Sequence, residues 1–370
     1  MKKKIALLLF NYFPFGGLQK DFYAIATELK NRGFELKIFT GSWDGDNPEA
    51  FEVVELGISG ITNHKRNINF FNKVKKELET YDPDLVFGFN KMPGLDLYFA
   101  ADTCFKYKVR TTKPAWCRLT QRYKKSLKFE DAVFNKDSKT KILILNEKQR
   151  KEFSHEYQTQ EERLLTVPPG ISKDWSSSQI SDIRHDYQLP AESHLILFVG
   201  SDFKRKGLDR AIKSIKFLQE KNPNFFLLVA GQNQETQFRK EALDLGLEDK
   251  VIFMGPVDNI NNLMAQSSAL IHPAREEAAG NVIIEAMISS LPILTCEAVG
   301  FSDFVNEHKS GYVLKGEFNQ TKFNELLEKI TSEISNQEIK EGMKSLKENK
   351  YFYSRYRFIA DYIQECFFSE

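Results

Sequence analysis

Short apolar runs of strand length alternate with helically spaced apolar residues along nearly the whole of this chain. That alternation constrains its fold more than any other feature. Ile5-Ala-Leu-Leu-Leu-Phe10 leads through a turn-rich loop into Leu18, Phe22, Ile25, Ala26 and Leu29 at helical spacing. The pattern stops at Asn31-Arg-Gly33, and a strand returns at 36–39. Further runs stand at 85–89 and 141–145, and a second series at 195–200, 225–230, 251–254, 269–271 and 292–295. Short apolar runs with helices between them predict parallel sheets covered on both faces.

At 370 residues the chain is too long for one typical core. Its strongest punctuation, Pro168-Pro169-Gly170, falls near the middle, ahead of a polar stretch at 176–181. The expected fold class is therefore α/β, with two Rossmann-like, doubly wound domains facing each other across a ligand cleft. The first spans 1–168 and the second 169–350. An aromatic, amphipathic helix at 351–370 packs back on the first domain, or else on the second.

With 41% hydrophobic and 28% charged residues the composition is that of a soluble globular protein. Lys and Arg number 52 against 51 for Asp and Glu, so average charge selects no partner. Cys104, Cys117, Cys296 and Cys366 are far apart and form no CxxC, which argues against zinc or a disulfide framework and for a reduced, cytoplasmic setting. The apolar run after Met1-Lys-Lys-Lys4 is shorter than a signal peptide needs, and no run reaches membrane-spanning length.

Three loops at expected strand ends carry the chemistry. Phe13-Pro-Phe-Gly16-Gly17 opens the first helix, and its paired glycines let backbone N–H groups face a phosphate. It lacks the G-x-G-x-x-G spacing of dinucleotide binders, which disfavours a nicotinamide dehydrogenase. Gly200-Ser-Asp-Phe-Lys-Arg205-Lys206-Gly207 sets a cationic triplet at a strand end, suited to a diphosphate, with a solvated basic turn as the alternative. Glu277-Ala-Ala279-Gly280-Asn281 precedes a helical pattern holding Glu285, giving Glu-x7-Glu. Gly280 admits a ligand to the helix N-terminus, and the two carboxylates can accept from hydroxyls of a sugar nucleotide; two surface glutamates are the alternative.

No Asp-x-Asp stands near these loops to hold a metal, so cations and helix ends would stabilise a leaving phosphate. Two charge-assisted hydrogen bonds and a helix dipole supply about 3–8 kcal/mol. Barrier reductions of about 8–23 kcal/mol are usual, and positioning contributes up to about 7–11 kcal/mol of that.

These residues resemble the retaining two-domain glycosyltransferases of family four, which have the GT-B fold, and within it the glucosyltransferases of the lipopolysaccharide core. Tyr12-Phe-Pro-Phe-Gly-Gly-Leu-Gln19, Gly88-Phe-Asn-Lys-Met-Pro-Gly-Leu-Asp96, Tyr98-Phe-Ala-Ala-Asp102, Pro168-Pro-Gly-Ile171, Gly200-Ser-Asp-Phe203, Arg205-Lys-Gly207 and Glu277-Ala-Ala-Gly280 carry the resemblance across most of the chain. It implies metal-independent transfer of a hexose, glucose, from a UDP-sugar (UDP-glucose) to an inner-core heptose. Gly16 and Gly17 would approach the diphosphate and departing sugar, while Arg205 and Lys206 neutralise the diphosphate. Glu285 would take the ribose hydroxyls. Glu277 would take the sugar's 3- and 4-hydroxyls, helped by the Ala279-Gly280-Asn281 backbone. Asp102 would lie at the sugar's other face and Asp21 near the acceptor. The chain departs from the family at Ser290, usually glycine, which implies a less tightly turned helix end, and at Asn281, usually aliphatic, beside the sugar.

Segment 103–129 has no acidic residue but holds Lys106, Lys108, Arg110, Lys113, Arg118, Arg122, Lys124, Lys125 and Lys128, interleaved with Phe105, Tyr107, Trp116, Leu119, Tyr123, Leu127 and Phe129. Such a face suits an anionic membrane surface; a solvated helix over the core is the alternative, and no nucleic-acid motif accompanies it. The expectation is an enzyme peripheral to the cytoplasmic face of the inner membrane, with a lipid-anchored saccharide as acceptor. A sugar-nucleotide epimerase, a transferase for another surface glycan, and a non-catalytic membrane adaptor are the other readings.

Overall fold

β1 (Lys4–Leu9) is buried along all but its first residue, as a strand is when helices cover both faces of its sheet. In the computed structural model, which describes residues 2–14, 16–45, 50–60, 62–172 and 181–369, it belongs to a seven-stranded parallel sheet. The others are β2 (Glu35–Thr40), β3 (Glu52–Glu55), β4 (Leu85–Gly88), β5 (Leu97–Phe99), β6 (Lys141–Ile144) and β7 (Leu164–Thr166), in the order β3-β2-β1-β4-β5-β6-β7. β1 pairs with β2 from Lys4 opposite Glu35 to Leu9 opposite Thr40, and with β4 on its other side. The strand order reverses there, so the loops after β1 and β4 part and open a crevice at their carboxyl ends.

A second sheet contains β8 (His194–Val199), β9 (Phe225–Ala230), β10 (Val251–Gly255), β11 (Ala269–His272), β12 (Ile293–Cys296) and β13 (Gly311–Leu314). Its order, β10-β9-β8-β11-β12-β13, reverses between β8 and β11, and every pairing is parallel. The loops after β8 and β11 are therefore neighbours at the reversal point.

Every strand expected from the sequence is present, and β3, β5, β7 and β13 are additional. The additional strands have three or four residues each.

The chain divides into two compact units, Met1–Gly170 with Ser354–Glu370, and Ile171–Tyr353. The expected boundaries at 168 and 351 stand two and three residues further on, and residues 176–180 of the polar stretch lie outside the described residues. Within the first unit the C-terminal helix Arg355–Phe367 lies against the helix Gly17–Asn31. The fully buried Arg355 fixes it there, donating through Nη1 to both Asp21 oxygens at 2.9 Å and through Nε to the Pro168 carbonyl at 2.8 Å. Tyr356 adds hydrogen bonds to Asp21 and the Gly170 carbonyl.

Candidate active site

The second unit's chemistry begins where β8 ends. Gly200 has no side chain, and a Cβ there would stand 3.0 Å from Cγ of Lys206. Its absence lets the Lys206 stem lie across the backbone. Asp202 caps the short helix Phe203–Lys206 by accepting from the Arg205 N–H at 3.2 Å, and also accepts from Arg205 Nε at 3.1 Å. Gly207 ends that helix at φ +83°, where a Cβ would lie 2.1 Å from the Pro273 carbonyl oxygen. Only glycine allows both this turn and this approach to the loop after β11.

The two loops are bound together. The Arg275 N–H donates to the Arg205 carbonyl at 2.8 Å, and the Arg275 guanidinium forks onto Asp209 at 2.8 and 2.6 Å. Burial opposes the Asp209 charge, yet Arg275 holds its carboxyl below the usual range. Such planar, bidentate pairing fixes orientation as well as energy.

Upon this frame Glu277 meets both cations. Arg205 Nη1 lies 2.9 Å and Lys206 Nζ 2.5 Å from one oxygen, Oε2. Arg205 Nη1 also donates to the Glu276 carbonyl at 2.9 Å. Burial alone would raise the Glu277 pKa, but Lys206 and Arg205 bring it down to about 2. Coulomb attraction has outweighed desolvation, as it does when two cations lie within hydrogen-bonding distance.

Beyond Glu277 the chain is held by the loop after β12. The Gly300 N–H donates to the Glu277 carbonyl at 3.0 Å and the Phe301 N–H to the Ala279 carbonyl at 2.8 Å. Gly280 then turns at φ +89° and caps the helix Asn281–Ile288, with space where a Cβ would crowd Val299. Half-buried Glu285 sits inside this helix. Asn281 begins it, and its buried Oδ1 has no hydrogen-bond partner among the described protein groups. The helix closes with Ser290 at φ +52° and the Leu291 N–H returning to the Ala286 carbonyl at 2.9 Å. The looser helix end expected from serine is therefore corrected: Ser290 takes the left-handed conformation that glycine would.

In the first unit, Gly16 and Gly17 stand at the start of the helix Gly17–Asn31, with Phe15 outside the described residues. A Cβ on Gly16 would strike Gln19 Oε1, whereas one on Gly17 would meet nothing within 4 Å. Asp102 follows β5 with its side chain exposed. Asp21 is another matter. It is 5% exposed and both its oxygens accept from Arg355. Asp21, expected near the acceptor, is the anchor of the C-terminal helix.

Sequence reading also missed a buried cluster around Glu130, which is fully buried. It accepts from Lys91 Nζ at 2.5 Å, Tyr157 at 2.6 Å and the N–H groups of Phe105 and Lys106 at 2.8 and 2.9 Å. Burial raises its pKa, but the Lys91 ammonium outweighs this and holds the carboxyl below the usual range. Lys91 belongs to the Phe-Asn-Lys-Met-Pro-Gly string, so a signal existed, but its partner lies 39 residues away.

That acid pins the helix Phe105–Thr112 that opens the basic segment. Within the segment Arg110 pairs with Glu156 at 2.8 Å, and Lys106 donates to the Glu156 carbonyl. Tyr107, Leu127 and Phe129 pack against the first unit's core. Trp116 and Leu119 remain 66% and 75% exposed, among exposed Lys113, Arg118, Arg122, Lys124, Lys125 and Lys128. Among the described residues no helix is long and apolar enough to cross a membrane, and no three His, Cys, Asp or Glu side chains gather as a metal site.

Two parallel doubly wound sheets, with cations, a carboxylate and a glycine-capped helix at a switch point, define an α/β class of ligand-binding enzyme. The family Glycosyltransferase Family 4 matches residues 15–175, and Glycosyl transferases group 1 matches 179–350. The chain is 40% identical over 335 residues to the lipopolysaccharide glucosyltransferase WaaG of Escherichia coli (strain K12), covering 89% of this chain and 90% of that protein. The crystal structure of WaaG, a glycosyltransferase involved in lipopolysaccharide biosynthesis, superposes with a TM-score of 0.91 at 39% identity over 96% of this chain and 98% of that one. Anabaena Alr3699/HepE, solved with UDP and glucose, shares the fold at a TM-score of 0.75 and 16% identity, covering 98% and 100% of the two chains. The chain belongs to the GT-B glycosyltransferases of family four. That membership does not favour the epimerase alternative.

Proposed function

We propose that this glycosyltransferase moves glucose from UDP-glucose to an inner-core heptose of lipopolysaccharide with retention of anomeric configuration. The observation that carries the reading is the convergence of Arg205 and Lys206 on Glu277 Oε2, beside the Gly280 turn. Two cations at a strand end match a diphosphate, and the N–H groups at the start of the helix Asn281–Ile288 favour its negative charge. Both Glu277 contacts fall on Oε2, leaving Oε1 to accept from sugar hydroxyls, with the Ala279-Gly280-Asn281 backbone alongside. Glu285 takes the ribose hydroxyls, one turn into the helix. Similarity to a lipopolysaccharide glucosyltransferase over 90% of its length supports the glucose and lipopolysaccharide assignment; the heptose follows from the family resemblance.

The chemistry follows from charge. Departure of UDP places negative charge on the β-phosphate, and Arg205 and Lys206 stabilise it where it develops, without a resident metal. The departing phosphate oxygen takes the acceptor's proton as the heptose oxygen attacks the same face of the anomeric carbon. The family resemblance assigns Gly16 and Gly17 to the diphosphate and Asp102 to the sugar. The acceptor is lipid-anchored, and Trp116, Leu119 and the surrounding cations form a face suited to an anionic leaflet at the cytoplasmic side of the membrane.

The test is a thermal-shift screen of UDP-sugars followed by transfer assays with heptose-terminated core. UDP-glucose should stabilise in proportion to concentration over Kd and release UDP only with acceptor present. Stabilisation by no UDP-sugar would overturn the reading.

A further inference from the structure

His272 closes β11, and its ring is fully buried. Neither ring nitrogen has a hydrogen-bond partner among the described protein groups. Nε2 lies 3.9 Å from Glu277 Oε2, beyond hydrogen-bonding distance. The preceding strand residues, Ala269, Leu270 and Ile271, are apolar and equally buried. An apolar residue at 272 would continue that pattern at no polar cost, whereas an unpaired buried polar group costs about 1–3 kcal/mol. A cost of that size, next to the carboxylate the site is built around, calls for a use.

The use lies in what happens to Glu277 when a donor arrives. Lys206 and Arg205 occupy Oε2 at 2.5 and 2.9 Å. A diphosphate claims the same two cations, and Glu277 then needs another donor to hold its rotamer. We propose that His272 is a positioning residue whose neutral Nε2–H closes onto Glu277 Oε2 as Arg205 and Lys206 turn to the diphosphate, keeping Oε1 aimed at the sugar. This deepens the donor-site reading above and rests on it. Burial, the nearby Lys206 and then Arg205 hold the imidazole pKa down to about 3, against the pull of Glu277. The ring therefore offers a hydrogen bond as a neutral donor and adds no third positive charge. The His272 carbonyl accepts from Thr295 Oγ1 at 3.0 Å, which fixes the backbone from which the ring projects.

The experiment compares wild type, His272→Leu and His272→Gln, whose amide N–H can stand in for Nε2–H, each checked for a cooperative melt. UDP Kd is measured by titration, and kcat and KM for the UDP-sugar that wild type uses. His272→Leu should lower kcat about tenfold, the worth of one hydrogen bond, with UDP Kd within about twofold because UDP has no sugar to align. His272→Gln should recover most of the kcat. If His272→Leu does not fold, His272→Asn, too short to reach Glu277, takes its place with the same expectation. An unchanged kcat in the Leu variant, no recovery in the Gln variant, or a UDP Kd that weakens in step with kcat would overturn the proposal. Failure of wild type to bind UDP at all would instead overturn the donor-site reading.

Discussion

Lys206 Nζ and Glu277 Oε2 meet at 2.5 Å although they come from segments that follow two different strands, β8 and β11. The two side chains neutralise each other, and under the proposed function the cations turn to a diphosphate and the carboxylate to hydroxyls. Separating the roles of the two acids is the first prediction. Glu277→Ala should chiefly lose turnover, by about 10–150-fold for one charge-assisted hydrogen bond of about 1.5–3 kcal/mol. Glu285→Ala should chiefly raise the UDP Kd. Steady-state kinetics beside UDP titration distinguishes them, and equal, mild effects from both would count against the assignment.

The same pair has a pH signature. The Glu277 pKa is lowered from 4.5 to about 2 by cations that outweigh its burial. A carboxyl depressed by folding stabilises above its unfolded pKa, and that contribution is lost as pH falls from about 4.5 toward 2. The amount is on the order of 3 kcal/mol. Denaturation midpoints of wild type should therefore fall more steeply over this window than those of Glu277→Gln. Parallel curves would show that the ion pairs contribute nothing to folding.

Asp21 and Arg355 make a structural prediction. Removing one partner of a fully buried pair costs about 3–5 kcal/mol, so Asp21→Asn should lower the denaturation midpoint sharply. Acceptor KM, measured on the fraction that stays folded, should be unchanged. A selective rise in acceptor KM with normal stability would restore Asp21 to the acceptor side.

Ser290 carries a cost that glycine would relieve. A side chain in the left-handed region costs about 1–2 kcal/mol, and Ser290 sits there at φ +52°. Ser290→Gly should raise the unfolding free energy by up to about 1 kcal/mol, less than the relief because glycine adds freedom to the unfolded chain. Urea denaturation reads this directly, and destabilisation would mean the Ser290 side chain has an unseen role.

The basic segment predicts a membrane phenotype. Each cation near an anionic leaflet contributes about 1 kcal/mol, so neutralising Arg122, Lys124 and Lys125 together should weaken binding to anionic vesicles about a hundredfold. Donor hydrolysis should be spared. Unchanged sedimentation with vesicles would remove this face from the account.

How much of this was legible beforehand follows from the length of each signal. The apolar strands at the switch points and the loops after β1, β8 and β11 are legible, because buried strands, glycines and charge triplets leave local marks. Arg355–Asp21 and Lys91–Glu130 did not, since their partners lie 334 and 39 residues apart. A lone Asp in a helix gives no sign of which arginine will find it. His272 was hidden for a different reason: at the end of an apolar run it looks like any strand terminus, and only the distance to Glu277 sets it apart. Ser290 is the converse case: its residue type disfavours φ +52°, and the helix end imposes that conformation.

Exchange of Glu277 for a nucleotide diphosphate by Arg205 and Lys206 is read out by calorimetric titration of UDP and of uridine into wild type, Arg205→Ala and Lys206→Ala. Each variant should lose at least about tenfold in UDP affinity, as one charge-assisted contact requires, while uridine binding stays the same. UDP affinity equal to wild type in both variants would contradict that exchange.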